Sequence, residues 1–277
     1  MRGRSTAVGE SKGSVVLRSR FVRFSLGLHV LAALVLLVSL RPWREVVAVV
    51  LIDHLVLVGA SLWPRSSLVG PNLCRLPSDA EANAVGLTFD DGPDPEVTPA
   101  VLEMLDRHRV AATFFCIGRR AARHPELVAE IARRGHRVEN HSYRHVQWFC
   151  FLGPAALRRE IDRAQDALGR QAGAAPRYFR APAGLRSPWL DPVLVSRGLE
   201  LVSWSRRGFD TVTRDADRVV RRLLRRVAPG DILVLHDGSS ARDRHGRPVV
   251  LSTLRALLVE LEHRGLRAVA VPPAARR

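Results

Sequence analysis

The sequence predicts an α/β fold: a distorted (β/α) barrel of about seven strands, preceded at the N-terminus by a transmembrane segment or a helical hairpin. Three observations predict it. Two long apolar runs precede residue 64, short strand-like runs alternate with amphipathic helical runs from Ala84 onward, and polar residues cluster at the ends of several of those strands. An open doubly wound sheet would account for the alternation equally well. Chemistry-bearing residues on different strand ends meet at one point only if the sheet curls, and this favours the barrel.

Residues 1–23 carry Arg2, Arg4, Lys12, Arg18, Arg20 and Arg23 and form a basic tail. From Phe24 to Leu40 no Asp, Glu, Lys or Arg occurs (FSLGLHVLAALVLLVSL), close to the roughly 20 residues that span a bilayer. No small-residue cleavage site follows directly, so residues 24–63 are expected to be an uncleaved anchor of one or two spans. After the polar break Arg41–Glu45, Val46 to Trp63 (VVAVVLIDHLVLVGASLW) is a second run, interrupted by Asp53 and His54. A carboxylate at mid-membrane costs on the order of 3 kcal/mol, so this pair must face the other helix or be protonated, or the segment does not fully span. By the positive-inside rule the basic tail is cytoplasmic. Two spans would keep the following domain on the cytoplasmic face of a bacterial inner membrane, the arrangement favoured here; one span would export it.

Residues 64–83, with Pro64, Gly70, Pro71 and Pro77, read as a linker. The domain is then expected over 84–271, with a short tail at 272–277. Its strands are AVGLTFD, AATFFCI, HRVENHS, YFRAP, LELVSW, DILVLHD and LRAVAV. Between them lie helical patterns at 98–108, 125–134, 154–171, 190–197, 215–227 and 249–264. The 215–227 helix sets valines and leucines against five arginines, the pattern of an outer helix with a solvated basic face.

Composition excludes several classes. A chain of 277 residues, 47% apolar and 25% charged, is not wholly disordered. The net charge of +16 comes almost entirely from arginine, Lys12 being the only lysine, and no aromatic-basic interleaving accompanies it, so no nucleic-acid partner is expected. Cys74, Cys116 and Cys150 are odd in number and unpaired in spacing, which excludes a disulfide framework or a CxxC site.

Four constellations carry chemistry. In Thr88-Phe89-Asp90-Asp91-Gly92-Pro93 an apolar strand ends in adjacent carboxylates, which suits one acid for a metal and the other for proton transfer, although such a sequence is also an ordinary solvated turn. In Asn140-His141-Ser142-Tyr143-Arg144-His145 two imidazoles four residues apart would share one face of a helical turn. With Asp91 they make two histidines and one carboxylate, leaving a coordination position open as catalytic zinc requires. Arg180-Ala181-Pro182-Ala183-Gly184 offers a guanidinium to orient Asp90 and a backbone NH at Ala183 for an oxyanion. Val234-Leu235-His236-Asp237-Gly238 ends the most apolar strand with a histidine that would face the far side of the reacting carbon.

In succession, TFDDGP, NHSYRH, RAPAG and LHDG resemble the polysaccharide deacetylase family, also called the NodB-homology domain or carbohydrate esterase family 4, over about residues 84–271. The resemblance implies a distorted (β/α) barrel with Asp90 as base, Asp91, His141 and His145 as ligands of a divalent ion such as Zn2+ or Co2+, Arg180 as the orienter of Asp90, and His236 as acid. Where the family has an aromatic in its third motif this chain has Ala183. In WSRRGFDT, Asp210 fits the acidic position that pairs with His236, Thr211 replaces an aromatic, and Arg207 stands at an otherwise acidic position, which suits a more anionic substrate. The expected activity is removal of an N-acyl group, usually acetyl, from an amino sugar of a polysaccharide or, preferably, a lipid-linked glycan at the membrane. The alternative is an inactive, membrane-tethered glycan-binding protein.

Overall fold

The computed structural model describes residues 17–78 and 80–272. The basic tail up to residue 16 and the C-terminal tail from residue 273 lie outside the described residues.

Helices α1 (Arg20–Val38) and α2 (Trp43–Leu62) are long and apolar enough to cross a membrane. Most of their side chains are exposed to the surroundings, as in helices that bury their apolar surface elsewhere than in a protein core. They run antiparallel. Val22 packs with Ala60, Ser25 donates to Asp53, and the rings of His29 and His54 lie 5.0 Å apart. Asp53 thus faces the other helix.

The remaining strands form a curled, all-parallel sheet with helices packed outside it. In chain order its elements are β1 (Ala84–Asp90), α3 (Thr98–His108), β2 (Thr113–Cys116), α4 (Gly118–Arg123), α5 (Pro125–Arg133), β3 (Arg137–Asn140), α6 (Pro154–Ala172), β4 (Tyr178–Phe179), α7 (Leu190–Val195), β5 (Glu200–Leu201), β6 (Arg206–Arg207), α8 (Ala216–Leu224), β7 (Ile232–His236), α9 (Val249–His263) and β8 (Arg267–Val269). The sheet order is β5-β4-β3-β2-β1-β7-β6, and β8 pairs with the start of β1. β1 is buried along its whole length, as befits a central strand covered on both faces.

Alternation sorts the side chains. Val85, Leu87, Phe89, Leu233 and Leu235 face the helices in the largest core cluster. Ala84, Phe115, Tyr178, Ile232 and Val234 fill the barrel interior. By the same parity Thr88, Asp90 and His236 belong to the interior, and Asp90 and His236 are register partners at the tips of adjacent strands.

The structure differs from the sequence reading in three places. Helix α4 and the two-residue strand β6 were not anticipated; their runs are too short to show a period. LELVSW contributes only Glu200–Leu201 to the ladder; Val202 N still donates to the Phe179 carbonyl, while Leu73 bridges past it, donating to Leu201 O and accepting from Ser203 N. Within the stretch read as a linker, Leu73 to Leu76 hydrogen-bonds to Leu201 on one side and Gly230 on the other, so it fills the gap at the open side of the curled sheet.

Candidate active site

Asp90 lies against a fully buried Arg180, whose Nη1 donates to its Oδ1 at 2.6 Å. The same guanidinium donates to Thr88 Oγ1 and to the carbonyls of Val202 and Ser203, and it stacks 3.9 Å over the Phe115 ring. A buried arginine with every edge occupied holds one orientation, and Asp90 inherits it.

The chain then turns sharply. Asp91 has φ 74°, a left-handed conformation that swings its carboxylate away from that of Asp90. Its Oδ1 sits 3.3 Å from His141 Nε2 and 3.1 Å from His145 Nε2. One ligand atom from each of the three residues falls within 4.8 Å of the others. Burial pushes the Asp91 carboxyl up, but the adjacent imidazoles of His141 and His145, with His236, outweigh it and hold it well below the usual carboxylate range. Burial and the neighbouring His141 press His145 down to about 4, so it is a neutral imidazole at neutral pH. His141 Nδ1 donates to the Arg180 carbonyl at 2.8 Å, which leaves its Nε2 with a lone pair aimed at Asp91.

Lone pairs thus converge on Asp91 Oδ1, a buried oxygen without a hydrogen-bond donor. This donor set fits a divalent cation of the zinc type: two imidazole nitrogens and one carboxylate oxygen on rigid mounts. The two histidines do not share a helical turn, as their spacing suggested. Ser142 (φ 61°) and His145 (φ 53°) are both left-handed, and a loop folds the second imidazole back beside the first. The loop is held by Ser142 N donating to Asn140 Oδ1, His145 N donating to Ser142 Oγ, and Arg144 bound through both backbone and guanidinium to the buried Glu160 of α6.

On the other side, both oxygens of the fully buried Asp210 accept from His236, one from its backbone N–H at 2.8 Å and one from Nδ1 at 2.9 Å. Burial lowers His236, but Asp210 and the more distant Asp90 and Asp91 overcome this and raise it to about 9. It is imidazolium at neutral pH, with Nε2–H free of that pair. Ala183 is exposed in a left-handed conformation (φ 55°), and the next residue, Gly184 (φ 74°), leaves no room for a Cβ, which would lie 2.7 Å from both Pro64 and Trp204. Arg207 stacks between Trp204 and Phe209, its buried Nε without a partner.

A sequence profile described as polysaccharide deacetylase matches residues 78–202. A chitooligosaccharide deacetylase of Bradyrhizobium sp. (strain ANU 289) is 37% identical over 199 residues, covering 68% of this chain and 89% of its own length. This chain belongs to the polysaccharide deacetylase family. Solved structures agree. The Bc1960 peptidoglycan N-acetylglucosamine deacetylase, in complex with 4-naphthalen-1-yl-N-oxidanyl-benzamide, superposes with a TM-score of 0.65 at 30% identity over 73% of this chain and 91% of that one. A family 4 carbohydrate esterase from Streptomyces lividans, in complex with acetate, gives 0.60 at 32% identity over 67% and 91%. The deacetylase family acts by hydrolysing carbon–nitrogen amide bonds outside peptides.

Three residues of this deacetylase fold escaped the sequence reading. Ser239 donates its hydroxyl to Asp91 Oδ2, fixing the carboxylate that faces the two imidazoles. Asp237 points to the helix side of β7, accepts from Thr98 at 2.6 Å, and is raised by burial and by Asp91 to about 7. Gly92 exists to admit it, since a Cβ there would lie 2.2 Å from its Oδ2. Glu160 holds the histidine loop from another helix. Asp237 stands within LHDG and Ser239 directly after it, so both were legible by position; nothing in the spacing of Glu160 points to its role.

Proposed function

We propose that this chain is a membrane-anchored, metal-dependent hydrolase that removes an N-acetyl group from an amino sugar. The observation that carries the reading is the convergence of His141 and His145 on the donorless Asp91 Oδ1, with Asp90 on the adjoining residue and the His236–Asp210 pair across from it. Asp91, His141 and His145 would hold the divalent ion, Zn2+ or Co2+. When bound, such an ion supplies Lewis acidity toward a carbonyl and acidifies a water. Asp90, oriented by Arg180, takes the proton of the attacking water as its oxygen bonds to the acyl carbon. The Ala183 N–H, in its exposed left-handed turn, is a donor for the developing oxyanion. His236, imidazolium through Asp210, delivers a proton to the sugar nitrogen as the C–N bond breaks, releasing amine and acetate.

The named relatives act on chito-oligosaccharide and peptidoglycan N-acetylglucosamine. For this chain the hairpin supports a substrate at the bilayer. Arg18 binds Asp191 of α7 at 2.5 Å, Arg186 N donates to the Ser61 carbonyl, and Pro64 seats on Gly184. The end of α2 therefore docks on the loop that follows β4, on the same rim as the other strand tips. That rim also exposes Trp148, Phe151, Trp189 and Phe209, with Trp63 at the end of α2. Together with Arg207, whose guanidinium stacks on Trp204 and Phe209 and whose Nε has no hydrogen-bond partner, this suits a lipid-linked, phosphate-bearing glycan on the cytoplasmic face of the inner membrane.

The test is acetate release from N-acetylated chito-oligosaccharides and from lipid-linked N-acetylamino sugars by the metal-loaded full chain. His141→Ala should lose bound metal and turnover together. Full turnover in a metal-free preparation, or none on any N-acetylated glycan, would defeat the proposal; the second result would favour an inactive binding protein.

A further inference from the structure

The hairpin holds a second group of metal-ligating side chains, remote from the strand tips. His29 lies at the middle of α1, and Asp53 and His54 at the middle of α2. In a spanning hairpin these would be the deepest positions, where ionisable side chains are costly and seldom kept without a role.

Asp53 is 5% exposed and accepts from Ser25 Oγ at 2.6 Å through Oδ2, while its buried Oδ1 has no partner. His29 Nδ1 lies 2.7 Å from the Ser25 carbonyl and His54 Nδ1 lies 2.8 Å from the Val50 carbonyl. A carbonyl only accepts, so each Nδ1 carries a proton and Nε2 is the nitrogen left to meet an ion. Metal-binding histidines are commonly set in this way, by donating the other ring nitrogen to a backbone oxygen. One ligand atom from each of the three residues lies within 4.8 Å of the others. Donors around a tetrahedral ion with bonds of about 2 Å sit roughly 3.3 Å apart; His29 now approaches Asp53 Oδ2 at 3.9 Å through Nδ1, so its ring must turn to close the site.

We propose that His29, Asp53 and His54 form a second divalent-metal site that ties α1 to α2 within the hairpin. Two imidazole nitrogens and one carboxylate oxygen suit Zn2+ or Co2+, with a fourth position left for water or another oxygen donor. The ion would brace the mount that joins the hairpin to the barrel rim through Arg18 and Asp191. The inference is independent of the hydrolytic reading.

The probe is Co2+ alone, added to chelator-stripped full-length protein in detergent, with bound cobalt measured per chain by mass spectrometry. His145→Gln disables the barrel site and leaves the hairpin untouched; it should retain one equivalent. Asp53→Asn should lose one equivalent relative to the unaltered chain and keep its kcat/KM on a soluble chito-oligosaccharide. His54 is exposed, so His54→Gln does not disturb packing; placed in the His145→Gln background it should weaken cobalt binding at least tenfold. The proposal is overturned if His145→Gln binds no cobalt or if His54→Gln leaves its affinity unchanged, since a hydrogen-bonded packing network alone predicts both. A single equivalent in the unaltered chain that vanishes with Asp53→Asn would support this site and reject the barrel one.

Discussion

Asp210→Asn removes a charge while nearly preserving shape, and its effect can be worked from the His236 environment. His236 stands at about 9 against an ordinary 6.5, a difference that corresponds to about 3 kcal/mol of preference for imidazolium. Burial alone would lower it, and the Asp210 hydrogen bond and charge are the main opposing effects. With the charge gone, His236 should fall to 6.5 or below. At pH 8 its protonated fraction then drops from about 0.9 to about 0.03, a loss of about 30-fold in the acid form. The sign for stability follows from the same values. A group raised on folding stabilises fully below 6.5 and loses that contribution as pH rises through 9. Unaltered protein should thus unfold more readily above pH 9, and the variant should show little of this dependence. The assay is the pH profile of kcat/KM for acetate release, with urea denaturation at pH 6 and pH 10. A basic limb still near 9 in a folded Asp210→Asn protein would refute the assignment of His236 as the acid that Asp210 maintains.

Asp90→Asn should keep its fold and bound metal but lose about 10²- to 10⁴-fold in kcat, the usual yield of general base catalysis; near-normal kinetics would remove Asp90 from that role. Arg180→Met leaves the Asp90 carboxylate buried without its cation and should cost about 3–5 kcal/mol in urea denaturation. A loss below 1 kcal/mol would mean the pair is not the structural unit described. Gly184→Ala forces a Cβ into Pro64 and Trp204 at a left-handed backbone, and should expose residues 63–72 to limited proteolysis while the barrel stays folded; unchanged protection there would contradict the docking of the hairpin on the rim.

The strands and most helices were legible because their periods are local properties of the chain. AVGLTFD and DILVLHD read as strands from their apolar runs, and both are buried throughout. Parity along them also places Asp90 and His236 on one face. Beyond that the signals weaken. His141 and His145 look like a helical pair on spacing, but the loop takes left-handed turns at Ser142 and His145, held by Asn140 within the motif and by Glu160 outside it. Two-residue strands such as β6 carry too few residues to show a pattern.

The sequence by itself determined the alternation of elements, the order of the four motifs and the two apolar runs, because each depends on residues within a few positions of one another. Only the tertiary structure decided that Asp91 Oδ1 meets two imidazoles and that both Asp210 oxygens bind His236. It also decided that Leu73 to Leu76 fills the open side of the sheet and that the hairpin seats on the rim beside the strand tips. Those facts depend on side chains far apart in the chain meeting at distances of a few ångströms, which packing of the whole barrel sets and no local period encodes.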